Sequence, residues 1–199
     1  MITIIDYGAG NLFSVQNALN YLGLENRVSR DPADIRSASG LILPGVGAFP
    51  DAMRMLNAAG LTALIREEAR RKPFLGICLG MQLLFETGYE FGETAGLGLL
   101  PGTVEKIETP FKIPHMGWNS LEFRRPCPLL EGVTEGESVY FVHSFQARTE
   151  PDCLYAVCDY GTEIPALVGK GTVFGAQFHP EKSGETGHTI LRNFGRLTT

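Results

Sequence analysis

The sequence has no excess of positive charge, no long apolar run and no paired cysteines, and each lack removes a class of protein. Its 17 lysines and arginines against 22 aspartates and glutamates give a formal charge of −5, without the basic stripe that sequence-independent nucleic-acid binding needs. No apolar stretch approaches the ~18 residues of a membrane span. The opening "MITIIDYG" also lacks the basic start and apolar stretch of a signal peptide. Four cysteines in 199 residues, none in CxxC spacing, do not make a disulfide framework. A Walker sequence, an HExxH motif and a Cys/His cluster with zinc spacing are all missing, so neither cofactor nor metal is implied. "DYGAGN" starts like a dinucleotide fingerprint, but Phe13 stands where the third glycine belongs. These absences describe a soluble, reduced, cytoplasmic protein. Without a repeat or a Pro/Gly/Ser-rich linker, it is expected to form a single domain over residues 1–199.

What is present is α/β grammar. "ITII" precedes a helix with Val15, Ala18, Leu19 and Leu22 on one face, capped at its start by Asn11 and closed by Gly23. "LILPG" and "KPFLGIC" are continuous apolar runs, as buried parallel strands are, and helical stretches lie around 49–59 and 61–71. From about residue 97 the chain becomes strand-rich, with several runs expected as antiparallel hairpins appended to the sheet, until "TILRNFGRL" forms a last helix. The expected fold is an open, doubly wound mixed sheet.

Within "KPFLGICLGMQLLF", Cys78 lies between glycines where an apolar run gives way to helical spacing. That is the pattern of a nucleophile elbow, a strained strand-to-helix turn that projects one side chain above the sheet. The positive end of the following helix favours a thiolate there. The competing reading is a small buried hydrophobe. A thiol hydrolase needs a base, and His179 ends the strand "TVFGAQFHPE" with Glu181 two residues on, close enough to orient the imidazole. Pro180 is expected to hold that pair extended. Cys78, His179 and Glu181 then follow the logic of a nucleophile, a base and its orienting carboxylate. His188 reads as a surface residue, His115 as part of a Pro-flanked loop and His143 as a satisfied core histidine. Cys127, Cys153 and Cys158 read as packing.

With "GICLGMQLLFE" and "FHPEKS" present without gaps, the chain resembles class I glutamine amidotransferases over essentially its whole length. "DYGAGNL", "LPGVGAF" and "HMGWN" are most similar to the branch whose glutaminase serves histidine biosynthesis. The resemblance implies a flavodoxin-like fold with a strand-rich C-terminal half, and a reaction in which Cys78 attacks the glutamine carboxamide, His179 transfers protons and Glu181 orients His179. It implies an oxyanion hole from the N–H groups of Val46 and Leu79, and substrate contacts from Gln82, Glu90, His143, Ser144 and Phe145. Glu90 would otherwise read as a solvated loop acid. The implied partner is a separate (βα)8-barrel cyclase that receives the ammonia, since a glutaminase uses up all 199 residues. Asn11, Trp118, Asn119, Tyr140 and Lys182 are the implied contact surface, with a core aromatic as the competing reading of Trp118. The resemblance also suggests a gate in "PGVG", where glycine at 45 lets the Gly45–Val46 peptide turn over.

Three readings therefore stand side by side: such a glutaminase, for this or another synthase; a cysteine hydrolase or deglycase of similar fold; and a catalytically silent subunit. The second lacks "HPE" near the C-terminus, and the third would have lost Cys78, His179 or Glu181.

Overall fold

The computed structural model describes residues 1–198; Thr199, the last residue of the expected domain, lies outside them. Strands β1 (Ile2–Ile5), β2 (Asn26–Ser29), β3 (Gly40–Gly45) and β4 (Phe74–Cys78) alternate with helices α1 (Leu12–Tyr21), α2 (Pro32–Ser37), α3 (Phe49–Ala58) and α4 (Thr62–Glu68). A single-turn helix, α5 (Leu79–Gln82), follows β4 directly, and then come β5 (Thr87–Gly88) and β6 (Thr94–Ala95). The later strands are β7 (Thr103–Lys106), β8 (His115–Ser120), β9 (Glu122–Phe123), β10 (Ser138–His143), β11 (Phe145–Arg148), β12 (Leu154–Asp159), β13 (Glu163–Lys170) and β14 (Val173–Ala176). Helix α6 (Gly184–Leu197) closes the chain.

The main sheet runs β2-β1-β3-β4-β14-β13-β12-β9. Strands β2 to β14 in that order are parallel to one another, and β13, β12 and β9 join antiparallel at one edge. Alternate residues of the central strands feed two separate cores, because successive side chains of a strand point to opposite faces. Ile4, Ile42 and Leu75 pack with Val15 and Leu19 of α1 and Ile190 and Phe194 of α6. Ile5, Leu41, Leu43 and Phe74 pack with Phe49 and Leu56 of α3 and Ile65 of α4. Burial on both faces is why β3 reads as an unbroken apolar run. Truncating one of the fully buried rings, such as Phe74 or Phe194, would cost about 3–5 kcal/mol.

Capping follows from local chemistry. Asn11 Oδ1 accepts from the Ser14 N–H at 3.4 Å at the start of α1, and Gly23 turns the chain away beyond its end with φ +69°. Asp31 does the same for α2 through the Ala33 N–H at 2.8 Å, with Pro32 in the first turn.

Three features depart from the sequence reading. Strand β2 carries "NRVS", half-buried along its length, and lacks the apolar run that would announce a strand. The strand-rich half is also not wholly appended to the main sheet: β10 pairs with β8, while β11, β7, β5 and β6 form a second small sheet. The run "VYFVHSF" breaks at Ser144 because β10 and β11 serve different partners. His115 opens strand β8 and is buried, where a loop was expected.

Candidate active site

Parallel strand β4 ends at Cys78, whose backbone sits at φ +55°, ψ −112°. Among the described residues only Phe91 shares a positive φ without being glycine. The flanking glycines make this turn possible. A Cβ on Gly76 would come within 2.5 Å of the Gly80 oxygen, and one on Gly80 would run into the Leu43 carbonyl. The helix that follows spans only four residues, so its dipole gives the sulfur less support than a long helix would.

The sulfur opens into a cleft of about 350 Å³. His179 lines the same cleft, and its Nδ1 lies 2.8 Å from Glu181 Oε1. Pro180 does not hold this pair extended, as the sequence suggests; it starts a 3-10 turn, Pro180–Lys182, that swings Glu181 behind the imidazole. Burial alone would pull the imidazole down, but hydrogen bonds to Cys78 and Glu181 and the charges of both outweigh it and raise it to about 9. The second carboxylate oxygen, Glu181 Oε2, is buried without a partner among the described residues.

Val46 and Leu79 also border the cleft. Gln82, Glu90, His143, Ser144 and Phe145 complete much of its wall. Gln82 is buried and donates from Nε2 to the Phe145 carbonyl and to Gln177 Oε1, both at 3.0 Å. Glu90 is not a freely solvated acid: its Oε2 accepts from the Phe49 N–H at 2.8 Å, capping α3, whose own cap residue Ala48 offers no side chain. His143 Nδ1 meets the Phe145 carbonyl at 2.8 Å, and its Nε2 lies 3.0 Å from His115 Nδ1. Desolvation holds both histidines neutral, His115 at about 4 and His143 at about 3; for His143 the charges of His115 and His179 add to burial against the Phe145 hydrogen bond.

Two residues of the site escaped the sequence reading. Gln177, fully buried, points Nε2 at Cys78 Sγ from 3.9 Å. Ser183 accepts from the Tyr140 N–H at 2.9 Å and donates to the His179 carbonyl at 2.6 Å, tying the His179 turn to β10. The one local signal for Gln177 is its place two residues before His179, as Glu181 is two residues after.

The five residues of the implied contact surface are only partly brought together. Trp118 and Tyr140 are ladder partners with ring centroids 6.0 Å apart, and Trp118 is 59% exposed, which settles it as a surface residue. The Lys182 N–H donates to the His179 carbonyl, so the turn carrying Lys182 adjoins the site. Asn119 donates to the Asp159 carbonyl at 2.8 Å. Asn11 is occupied in capping α1. Cys127, Cys153 and Cys158 are buried free thiols, and His188 stacks partly buried near Tyr21. Among the described residues no cluster of three or more His, Cys, Asp or Glu is arranged to hold a metal ion, and no helix is long and apolar enough to cross a membrane.

Known proteins share this arrangement of strands and motifs. The family model for glutamine amidotransferase class-I matches residues 3–197. The imidazole glycerol phosphate synthase subunit HisH of Bacillus cereus is 53% identical over 195 residues, covering 98% of this chain and 93% of its own length. HisH of Caldanaerobacter subterraneus subsp. tengcongensis is 53% identical over 199 residues, covering 99% and 98%. Among solved structures, a glutamine amidotransferase crystal structure superimposes with TM-score 0.78 at 21% identity, covering 100% of this chain and 99% of its own. PurLQS from Thermotoga maritima gives 0.76 at 24%, covering 97% and 96%. At those identities the structures speak for the fold, whereas the model match and the HisH relatives speak for descent: the chain belongs to the class-I glutamine amidotransferase family, among the HisH subunits of imidazole glycerol phosphate synthase.

Proposed function

We propose that the whole chain is one glutamine amidotransferase domain, the glutaminase subunit of an imidazole glycerol phosphate synthase. It converts glutamine and water to glutamate and ammonia, and the ammonia passes to a separate (βα)8-barrel cyclase. There it supports formation of imidazole glycerol phosphate and aminoimidazole-carboxamide ribonucleotide, a lyase step of histidine biosynthesis in the cytoplasm.

The observation that carries this reading is the meeting of Cys78 and His179 at one cleft bordered by Val46 and Leu79, with Glu181 bonded to His179. The Cys78 thiolate attacks the carboxamide carbon, and the carbonyl electrons move onto oxygen. The Leu79 N–H, with that of Val46 when it turns inward, stabilises this oxyanion. Because His179 Nδ1 is engaged by Glu181, Nε2 is the nitrogen that works. It gives its proton to the leaving nitrogen, the C–N bond breaks, and ammonia departs from a glutamyl thioester. His179 then removes a proton from water, the hydroxide attacks the thioester, and glutamate leaves with Cys78 restored as thiolate. Glu90, fixed by the α3 N–H, supplies a carboxylate for the substrate α-amino group. Docking of the barrel involves Asn11, Trp118, Asn119, Tyr140 and Lys182.

The test measures glutamate release by the chain alone, and then with the cyclase and its nucleotide ligand. Stimulated release is expected; no release in either state, from a folded chain, would overturn the reading.

A further inference from the structure

We propose that Gln177 is a further catalytic residue, whose side-chain N–H holds the Cys78 sulfur as thiolate, and that its orientation is set from the Phe145 carbonyl through Gln82. The proposal rests on Cys78 being the nucleophile, as argued above.

Two carbonyls, which can only accept, fix the directions in this network. The Asp159 carbonyl can only accept, so Asn119 turns its amide nitrogen toward it at 2.8 Å, and the same nitrogen lies 3.4 Å from His115 Nε2. A neutral His115 then carries its proton on Nδ1 and donates to His143 Nε2 at 3.0 Å. His143 in turn donates from Nδ1 to the Phe145 carbonyl at 2.8 Å. That carbonyl also receives Gln82 Nε2 at 3.0 Å, which saturates its two lone pairs and fixes which end of the Gln82 amide is nitrogen. The same nitrogen reaches Gln177 at 3.0 Å, so Gln177 must present oxygen there. Its own nitrogen is left facing Cys78 Sγ at 3.9 Å.

Besides His179, the sulfur has two polar neighbours that pull in opposite directions. The Val142 carbonyl, 3.8 Å away, accepts from a thiol and repels a thiolate. The Gln177 N–H favours the anion. Other titratable groups facing the sulfur are His179, with Glu181 behind it, Tyr7 from the loop after β1, and His143 in the cleft wall. Gln177 does not titrate, so it stabilises the thiolate without competing with His179 for protons. The network requires both buried histidines to stay neutral, because a second proton on His143 would face the His115 donor. Their depressed basicity agrees with that.

The experiment is alkylation of Cys78 by iodoacetamide in the full-length chain, read from the Cys78 peptide by mass spectrometry across pH. Gln177→Met keeps length and packing but removes the donor. It should slow alkylation at neutral pH roughly tenfold, the effect of losing a charge-assisted hydrogen bond, and move the rate profile to higher pH. His115→Phe keeps the ring between Phe141 and Tyr160, on which His115 stacks. It leaves the Phe145 carbonyl and Gln82 in place, so its profile should match wild type. A Gln177→Met profile matching wild type, even with a lowered Tm, makes Gln177 a structural residue and overturns the proposal; a His115→Phe shift as large as that of Gln177→Met overturns the assignment of its orientation to the Phe145 carbonyl. Should Gln177→Met fail to fold, the side-chain amide resonance of Gln177 in the native protein decides. It should move with Cys78 ionisation, and a resonance flat across that range overturns the assignment. Alkylation scores the thiolate whether or not glutamine is the substrate, so this test fails separately from the glutaminase assay.

Discussion

Gly45 and Cys78 are ladder partners at the ends of β3 and β4, and a Cβ at Gly45 would lie 2.5 Å from the Gly80 nitrogen. The glycine that the sequence suggests as a hinge is therefore first a packing glycine, letting the β3 end lie against the nucleophile turn. The left-handed residue of "PGVG" is Gly47, at φ +98°.

Gly45→Ala should accordingly displace the Leu79–Gly80 backbone rather than merely stiffen a hinge. Overpacking of this kind costs about 1–3 kcal/mol, so a lower Tm and a lower glutaminase kcat are expected together. Val46→Pro removes the N–H donor itself. It should leave partner and glutamine binding in place while reducing stimulation by the cyclase ligand by roughly 10²- to 10³-fold, the worth of one oxyanion donor. Normal stimulation of Val46→Pro, measured as glutamate release, would mean that Val46 donates nothing.

Cys78→Ala and His179→Ala should each abolish glutamine-dependent synthesis while leaving synthesis from added ammonia intact in the complex, as the proposed placement of the acceptor site on the partner requires. Loss of the ammonia reaction in Cys78→Ala would refute that separation. Glu181→Gln should be catalytically milder, since its oxygen can still accept from His179. Its new NH2, placed at the partnerless Oε2 position, should cost about 1–3 kcal/mol of stability, visible in denaturant melts.

Glu90 caps α3 and is proposed to hold the substrate α-amino group, and substitution can part the two. Glu90→Ala should raise KM for glutamine more than it lowers kcat, and also cost about 1 kcal/mol through the lost α3 cap. Glu90→Gln keeps an acceptor for the Phe49 N–H, so stability should return while KM stays high. Wild-type KM in both variants would confine Glu90 to capping.

The pH dependence follows from His179. Its raised value means that the imidazolium persists to about pH 9, so the acid step toward the leaving nitrogen should fail above that pH. The linked stability has the same sign: it is fully present below the ordinary histidine value and lost as pH rises through about 9. In Cys78→Ala the hydrogen bond and charge of the thiolate are gone, and NMR titration of His179 should show its transition moved down. An unmoved transition would leave Glu181 as the sole support.

Cys78, His179 and Glu181 were legible because each lies in a short stretch whose local spacing already states its chemistry. Gln177 was not, although it continues the same two-residue rhythm, because its meaning depends on β14 lying beside β4, strands about a hundred residues apart in the chain. His115 was misplaced for a related reason: nothing local says that a histidine after Ile113 and Pro114 will pair with another in β10. Strand β2 was invisible because its half-buried position asks for no apolar run. Trp118 needed the fold before its exposure could choose between core and surface.

The positive φ of Cys78 sets the fold and the chemistry against each other. A non-glycine residue in such a backbone region costs about 1–3 kcal/mol, whereas glycine there would cost only roughly 0.4–1 kcal/mol through a looser unfolded chain. Selection for heat resistance alone would therefore favour Cys78→Gly, a sturdier and inert protein, with a Tm expected above wild type.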